Sequence, residues 1–377
     1  MGEARIEYSR FYRASSLMRI GIILHPYGED KPAGLSRTIF ELVNGMLAVD
    51  RENEYIIFLK KEPKIRPQFA GINWRVEILG EGYFWLNHLR RMVPCDVYLF
   101  NTPVLPLFWK PKRAAILALD FAYYYFPPKG IKARVLNWMT FWYHRWSLHR
   151  TDSIIAISEA TKVDMVKLFG ISSSRIQVVL CGYKNVCATA EVALDLPEHF
   201  FLYVGVLKER KNVLNVVRAF GEFVRDHPTF KLVIGGRAEG VYAEKVRQYI
   251  HEEDIGHEVV FLGHLNDGQL SYLYKKAFAL VFPSFIEGFG YPVLEAMSCG
   301  LPVITSKTTS LGEICQNNSA LLADPASVTE LAQAMSMLVE NDAVRKDLIK
   351  NGRLQAKRFS WEKAGRELVK ILRGSTS

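Results

Sequence analysis

Val281-Phe282-Pro283-Ser284-Phe285-Ile286-Glu287-Gly288-Phe289-Gly290-Tyr291-Pro292-Val293-Leu294-Glu295 runs from an apolar stretch of strand character through a Gly-Phe-Gly turn to a proline where a helix can begin. A strand entering a glycine turn and then a helix is the repeating unit of parallel α/β sheets. Glycine lets backbone approach a ligand closely, and the amino end of a helix offers free N–H groups and partial positive charge. Such a turn suits a phosphorylated sugar. Carboxylates accept hydrogen bonds from hydroxyls, so Glu287 in the turn and Glu295 in the helix read as holders of sugar or ribose OH groups.

Outward from this stretch the same alternation recurs. Apolar, β-branched runs at 19–24, 55–59, 97–100, 114–119, 153–157 and 176–180 predict the strands of a first half. Runs at 200–204, 231–234, 259–262, 279–282, 303–305 and 320–322 predict those of a second. Two Rossmann-like halves facing across a cleft follow, with ligands expected beyond the carboxyl ends of the strands. The run at 200–204 leads into Gly205-Val206-Leu207-Lys208-Glu209-Arg210-Lys211-Asn212, where Arg210 and Lys211 could stabilise the negative charge that grows on a departing diphosphate. Gly235, after the run at 231–234, is a second place where backbone could come near a ligand.

Glu287 and Glu295, with seven residues between them, resemble the E-x7-E signature of the retaining nucleotide-sugar glycosyltransferases of family 4, which have the two-domain GT-B fold. The resemblance implies that Glu287 lies near the donor sugar and that backbone N–H groups of Gly288, Phe289 and Gly290 surround sugar and phosphates. It places Glu295 on the ribose. Gly205 to Asn212 is similar to the family's V-G-x-L-x-x-R-K-N segment, with Val206 where other members carry an arginine. Phe261-Leu262-Gly263-His264-Leu265 is similar to the loop whose main chain, at Leu265, holds the nucleobase. Pro32-Ala33-Gly34-Leu35-Ser36-Arg37 resembles the glycine loop that reaches the donor phosphate through Gly34. Ala156-Ile157-Ser158-Glu159-Ala160-Thr161-Lys162 is similar to another family segment, in which Ser158 reads as a helix cap. One position departs from the pattern. Where the family has a His-Asp pair after the fourth strand, this chain has Leu119-Asp120, so Asp120 or one of Tyr123, Tyr124 and Tyr125 would have to take over the sugar contact.

A chain of 377 residues exceeds what one core usually serves. The division read from the pattern is a polar extension over 1–18, an acceptor domain over 19–190, a nucleotide-sugar domain over 191–358 and a terminal helix over 359–377 returning to the first domain. The five cysteines are scattered, odd in number and without a C-x-x-C pair, which favours a reducing compartment and argues against structural zinc. No run nears the ~18 apolar residues of a membrane span and the first residues lack a signal-peptide core, so a cytoplasmic protein is expected.

The net charge of +9 suits phosphorylated ligands or anionic membranes as well as nucleic acid, but no nucleic-acid-binding motif is visible. Basic residues instead mix with aromatics at 83–92 and 131–150, a combination that fits a membrane–water interface and leaves peripheral contact with the inner membrane face open. No D-x-D, P-loop or G-x-S-x-G occurs. The activity that the family resemblance implies is retaining, metal-independent and cofactor-free transfer of a hexose, mannose favoured, from GDP-mannose or another nucleoside diphosphate sugar to a saccharide or lipid-linked saccharide in polysaccharide biosynthesis. Leu119 keeps one alternative open, an inactive protein that only binds nucleotide sugars.

Overall fold

A computed structural model describes residues 17–27, 34–128 and 130–374; most of the extension expected over 1–18, and Pro32 and Ala33 of the glycine loop, lie outside them. Seven strands form the first sheet: β1 (Arg19–Ile23), β2 (Glu54–Leu59), β3 (Trp74–Ile78), β4 (Val97–Phe100), β5 (Ala114–Ala118), β6 (Ser153–Ala156) and β7 (Ile176–Val178). Their order is β3-β2-β1-β4-β5-β6-β7. Six strands form the second: β8 (His199–Val204), β9 (Phe230–Gly235), β10 (Val259–Gly263), β11 (Ala279–Phe282), β12 (Val303–Ser306) and β13 (Leu321–Ala323), in the order β10-β9-β8-β11-β12-β13. Every pairing in both sheets is parallel. Strands covered by helices on both faces need unbroken apolar sequence. That is why β2, β4, β5, β11 and β12 are buried almost throughout.

The helices of the first half are α1 (Gly34–Val49), α2 (Ala122–Tyr125), α3 (Ile131–Arg150) and α4 (Glu159–Phe169). In the second half they are α5 (Val213–Val224), α6 (Val241–Glu252), α7 (Asp267–Lys276), α8 (Tyr291–Cys299), α9 (Thr309–Ile314), α10 (Val328–Glu340), α11 (Asp342–Ala356) and α12 (Trp361–Arg373). The two lobes are doubly wound α/β units joined twice. One crossing follows β7; the other is the approach to α12, which lies against α1 so closely that a Cβ on Gly365 would stand 2.5 Å from the Gly45 carbonyl carbon. Arg113 of the first lobe donates to the Leu372 carbonyl at 3.0 Å, and Arg373 reaches Glu52 at 2.9 Å.

The segment after β7 is short of regular structure but fastened to the second lobe. Val192 N–H donates to Gly268 O at 3.1 Å and Ser271 Oγ to Thr189 O at 3.3 Å. Cys187 forms a disulfide with Cys299 at the end of α8, their Cα atoms 5.6 Å apart, while Cys95, Cys181 and Cys315 are free and buried. This corrects the reading of the cysteines. Two residues 112 positions apart meet because the connecting segment folds back onto α8, which spacing does not reveal. The expectation of a reducing compartment therefore loses the support that the cysteines lent it.

Candidate active site

Sequence places each element of the site at the carboxyl end of a parallel strand, where loop backbone is free to bind. After β11 the chain turns through Pro283 to Gly290. Asn212 Nδ2 donates to Pro283 O at 2.9 Å, Phe285 N–H to Arg210 O at 2.9 Å, Ser306 Oγ to Ser284 O at 2.6 Å and Ser310 Oγ to Glu287 O at 2.9 Å. These bonds hold the turn rigid. Glu287 then sits at the centre of a charge cluster. Its Oε1 pairs with Lys211 Nζ and accepts from Ser284 Oγ at 3.0 Å, while Arg210 Nη1 stands 3.7 Å from its Oε2 and donates to Ile286 O at 3.2 Å.

Little of this cluster meets water: the Glu287 side chain is 9% exposed and that of Lys211 16%. Burial pushes the Lys211 ammonium below its usual range, while the Glu287 carboxylate pulls the other way. Gly205 closes one side of the cluster, near the Phe282 ring over which Lys211 Nζ lies at 5.1 Å. Gly235 packs against the Leu265 side chain, so these two sequence candidates form a neighbouring group at the ends of β9 and β10.

Helix α8 starts at Gly290, whose φ of 111° lies in the region that favours glycine, with Pro292 in the first turn. The Phe289 side chain points into the protein, 5.9 Å from the Phe359 ring, so only its backbone faces the turn. Glu295 lies on the inner side of α8, 7% exposed, and accepts from Tyr274 Oη at 3.3 Å. Burial raises its carboxyl to about 7 against the opposing charge of Arg37 from α1. Gly34 is the first residue of α1.

The first lobe meets this turn directly. A Cβ added to Gly288 would stand 2.5 Å from Leu119 O and 3.0 Å from Asp120 Cβ, so the end of β5 touches the Gly-Phe-Gly turn. Asp120 adds its negative charge to the field at Lys211. Asp120 Oδ1 accepts from Ala122 N–H at 3.2 Å and Thr161 Oγ1 donates to Leu119 O at 3.0 Å. Ser158 caps α4 by accepting from Thr161 N–H at 3.1 Å. A further bridge joins the lobes: Glu313 of α9 accepts from the Glu159 and Ala160 N–H groups at 3.0 and 3.3 Å.

A cavity of about 410 Å³ opens beside Asp120 in the first lobe, lined among others by His25, Trp85, Asn101, Tyr123 and His144. Sequence reasoning placed Trp85 and His144 only within the aromatic-basic stretches and passed over Asn101. Within α3 a histidine among aromatics carries no signal that separates a cavity wall from a helix surface. His144 Nδ1 is 2.9 Å from Tyr123 Oη and 3.1 Å from Tyr124 Oη, and burial lowers its pKa to about 4, which leaves the ring neutral. Among the described residues no three His, Cys, Asp or Glu side chains gather as a metal would need.

Comparison with known proteins is consistent with this geometry. Residues 33–184 match the family described as Glycosyltransferase Family 4 and residues 189–355 the one described as Glycosyl transferases group 1. The chain is 29% identical over 279 residues to the O-antigen chain mannosyltransferase B of Escherichia coli, covering 70% of this chain and 71% of that protein. It is 27% identical over 214 residues to the O-antigen chain mannosyltransferase RfbU of Salmonella typhimurium, 57% of each. Against a serotype-specific mannosyltransferase WbdA of E. coli the chain spans only 27% of the length. In fold it is similar to sucrose-phosphate synthase from Thermosynechococcus elongatus, with a TM-score of 0.75 at 20% identity over 95% of this chain and 98% of that one. It is likewise similar to Anabaena Alr3699/HepE in complex with UDP and glucose, with a TM-score of 0.73 at 15% identity over 94% and 99%. Two parallel sheets and two adjoining family matches together make the chain a GT-B glycosyltransferase of family 4, a hexosyltransferase.

Proposed function

We propose that the protein transfers a hexose, mannose before others, from a nucleoside diphosphate sugar to a saccharide or lipid-linked saccharide, with retention of anomeric configuration and without a metal. The observation that carries this reading is the convergence of Arg210, Lys211 and Glu287 at the end of β11, opposite Asp120. Arg210 and Lys211 supply fixed positive charge where the diphosphate becomes a leaving group, and Glu287 orients the sugar hydroxyls. The C1–O bond to phosphate breaks, the acceptor oxygen bonds to C1 from the same face, and its proton passes to the departing phosphate oxygen. In this reading Glu295 takes ribose hydroxyls, and the backbone around Leu265 and Gly235 takes the base. Mannose is supported by relatives named as mannosyltransferases, and a uridine nucleotide by a fold neighbour that holds UDP.

The test is a thermal-shift screen of GDP-mannose, UDP-glucose and related donors, followed by product analysis with saccharide acceptors. A bound donor raises the melting point by mass action. Stabilisation by a donor, with transfer or slow donor hydrolysis that Lys211→Ala abolishes, supports the reading. Binding without product from a broad panel returns the inactive alternative.

A lipid-linked acceptor and contact with the inner face of the cell membrane are supported by α3. Ile131, Val135, Trp138, Met139 and Trp142 stand exposed at helical spacing along it, and its sequence holds Lys132, Arg134, Arg145 and Arg150 but no acidic residue. Exposed aromatics beside lysines and arginines suit an anionic lipid surface. Among the described residues no helix is long and apolar enough to cross a membrane. Flotation with vesicles containing anionic lipid tests this, and protein that stays in the heavy fraction counts against it.

A further inference from the structure

The cavity beside Asp120 is about 410 Å³, at the lower end of the roughly 300–1,000 Å³ usual for small-molecule sites, and so is sized for one or two rings rather than a long chain. Its wall is chemically selective. Among the described residues no lysine or arginine lines it, and His144 is held uncharged by burial, so the described part of its wall offers no positive charge to a phosphate. What it offers instead is an aromatic face and neutral polar atoms. Trp85 opens the turn Trp85–Arg91 and is half-buried, its ring tilted 47° against that of His25 at 5.2 Å. Asn101, just after β4 and 2% exposed, donates through Nδ2 to His25 O, yet among the described residues its side-chain carbonyl has no hydrogen-bond partner. A buried carbonyl left in that state is costly unless a ligand or water meets it. Tyr123 Oη, fixed by His144 Nδ1, brings a further hydroxyl to the same wall.

An aromatic face with uncharged hydrogen-bonding groups is complementary to a sugar ring, whose C–H face is apolar and whose edge carries hydroxyls. Position adds to this. The cavity ends at Leu119 and Asp120, which touch Gly288 beside Glu287. We propose that it is the subsite for the terminal, uncharged sugar of the acceptor, stacked on Trp85, held by the Asn101 carbonyl and turned so that one hydroxyl faces the Asp120 end. The inference rests on the glycosyltransferase reading and adds what that reading leaves open, a neutral saccharide as the acceptor's reacting unit and the residues that select it.

The test uses the full chain with two separate readouts. Saturation-transfer NMR in the presence of UDP or GDP measures binding of methyl α-mannoside, methyl α-glucoside and methyl α-N-acetylglucosaminide; thermal shift with the nucleotide alone reports on the second lobe. Expected is binding of at least one glycoside, weakened about tenfold or more in Trp85→Ala and in Asn101→Leu and largely kept in Trp85→Phe, an aromatic–sugar contact being worth on the order of 1 kcal/mol or more. The nucleotide shift should be unchanged in all three, which also shows that the variants fold. Equal affinity of Trp85→Ala and wild type, or no glycoside bound by a protein that takes up nucleotide, overturns the proposal. Failure of every nucleotide to shift the melting point would instead count against the donor site, with the glycoside arm still deciding the cavity.

Discussion

Gly288 of the second lobe rests on the Leu119 carbonyl of the first, with room for no side chain between them: an added Cβ would stand 2.5 Å from that oxygen. Gly288→Ala should therefore hold the lobes apart rather than unfold either one. Displacing reacting groups by about 1 Å can cost on the order of 100-fold, and a loss of that size in kcat/KM is expected, with nucleotide still bound and a larger radius of gyration in solution scattering. Unchanged transfer would show that the contact is not part of the active form.

Lys211 and Glu287 are both mostly buried, so their pairing serves stability as well as chemistry. Lys211→Met leaves the carboxylate with the Ser284 hydroxyl and, as its cation among the described residues, the more distant Arg210 at 3.7 Å, and should destabilise by about 3 kcal/mol. Adding Glu287→Gln should recover part of that loss by removing the stranded charge. Activity should stay down by roughly 100- to 1,000-fold in both variants. Melting curves beside transfer rates separate the two roles, and a double variant that regains activity would deny Lys211 its place at the leaving group.

Glu295 carries a pH signature of opposite sign to most carboxylates. Its carboxyl is raised from 4.5 to about 7 by burial, so between those values the folded protein keeps a proton that the unfolded chain releases. Stability then falls as pH rises through that window, and the full penalty applies above pH 7. Glu295→Gln should match wild type near pH 4.5 and exceed it at pH 8 by up to roughly 3 kcal/mol. Denaturant melts at the two values check this. A variant less stable than wild type at pH 8 would mean that the carboxylate is better solvated than its position implies.

Sequence legibility followed burial. Each of the twelve runs read as strands corresponds to a strand within a few residues; nine of them are inner strands, which must be continuously apolar when covered on both faces. The thirteenth, β3, escaped notice. It is an edge strand, Trp74-Arg75-Val76-Glu77-Ile78, half-exposed throughout, with Arg75 paired to Glu54 and Glu77. The meeting of Arg210 and Lys211 with Glu287 was legible because two short segments carry all three. The cavity was not. Trp85, Asn101, Asp120 and His144 come from four separated places, and only the parallel order of β1, β4 and β5 sets their loops side by side.

The Cys187–Cys299 bond closes a loop of 112 residues that includes the strands β8 to β11. Crosslinks over loops of that length stabilise by about 2–4 kcal/mol, so reductant or Cys187→Ser should lower the melting point by several degrees. Mass spectrometry of the unreduced protein, by the absence of alkylation at these two residues, establishes that the bond is formed. A melting point indifferent to reductant would show that the segment after β7 is held by its hydrogen bonds alone.

The two places where the chain passes between lobes are neighbours: a Cβ on Gly182, just before the first passage, would stand 2.6 Å from the Ser360 carbonyl carbon at the second. A body tied at two adjacent points cannot swivel freely. It can only swing about the line through both ties, as a book cover does on its spine. Any opening of the lobes would then retrace one arc and bring Gly288 and Leu119 back to the same mutual registry on closing.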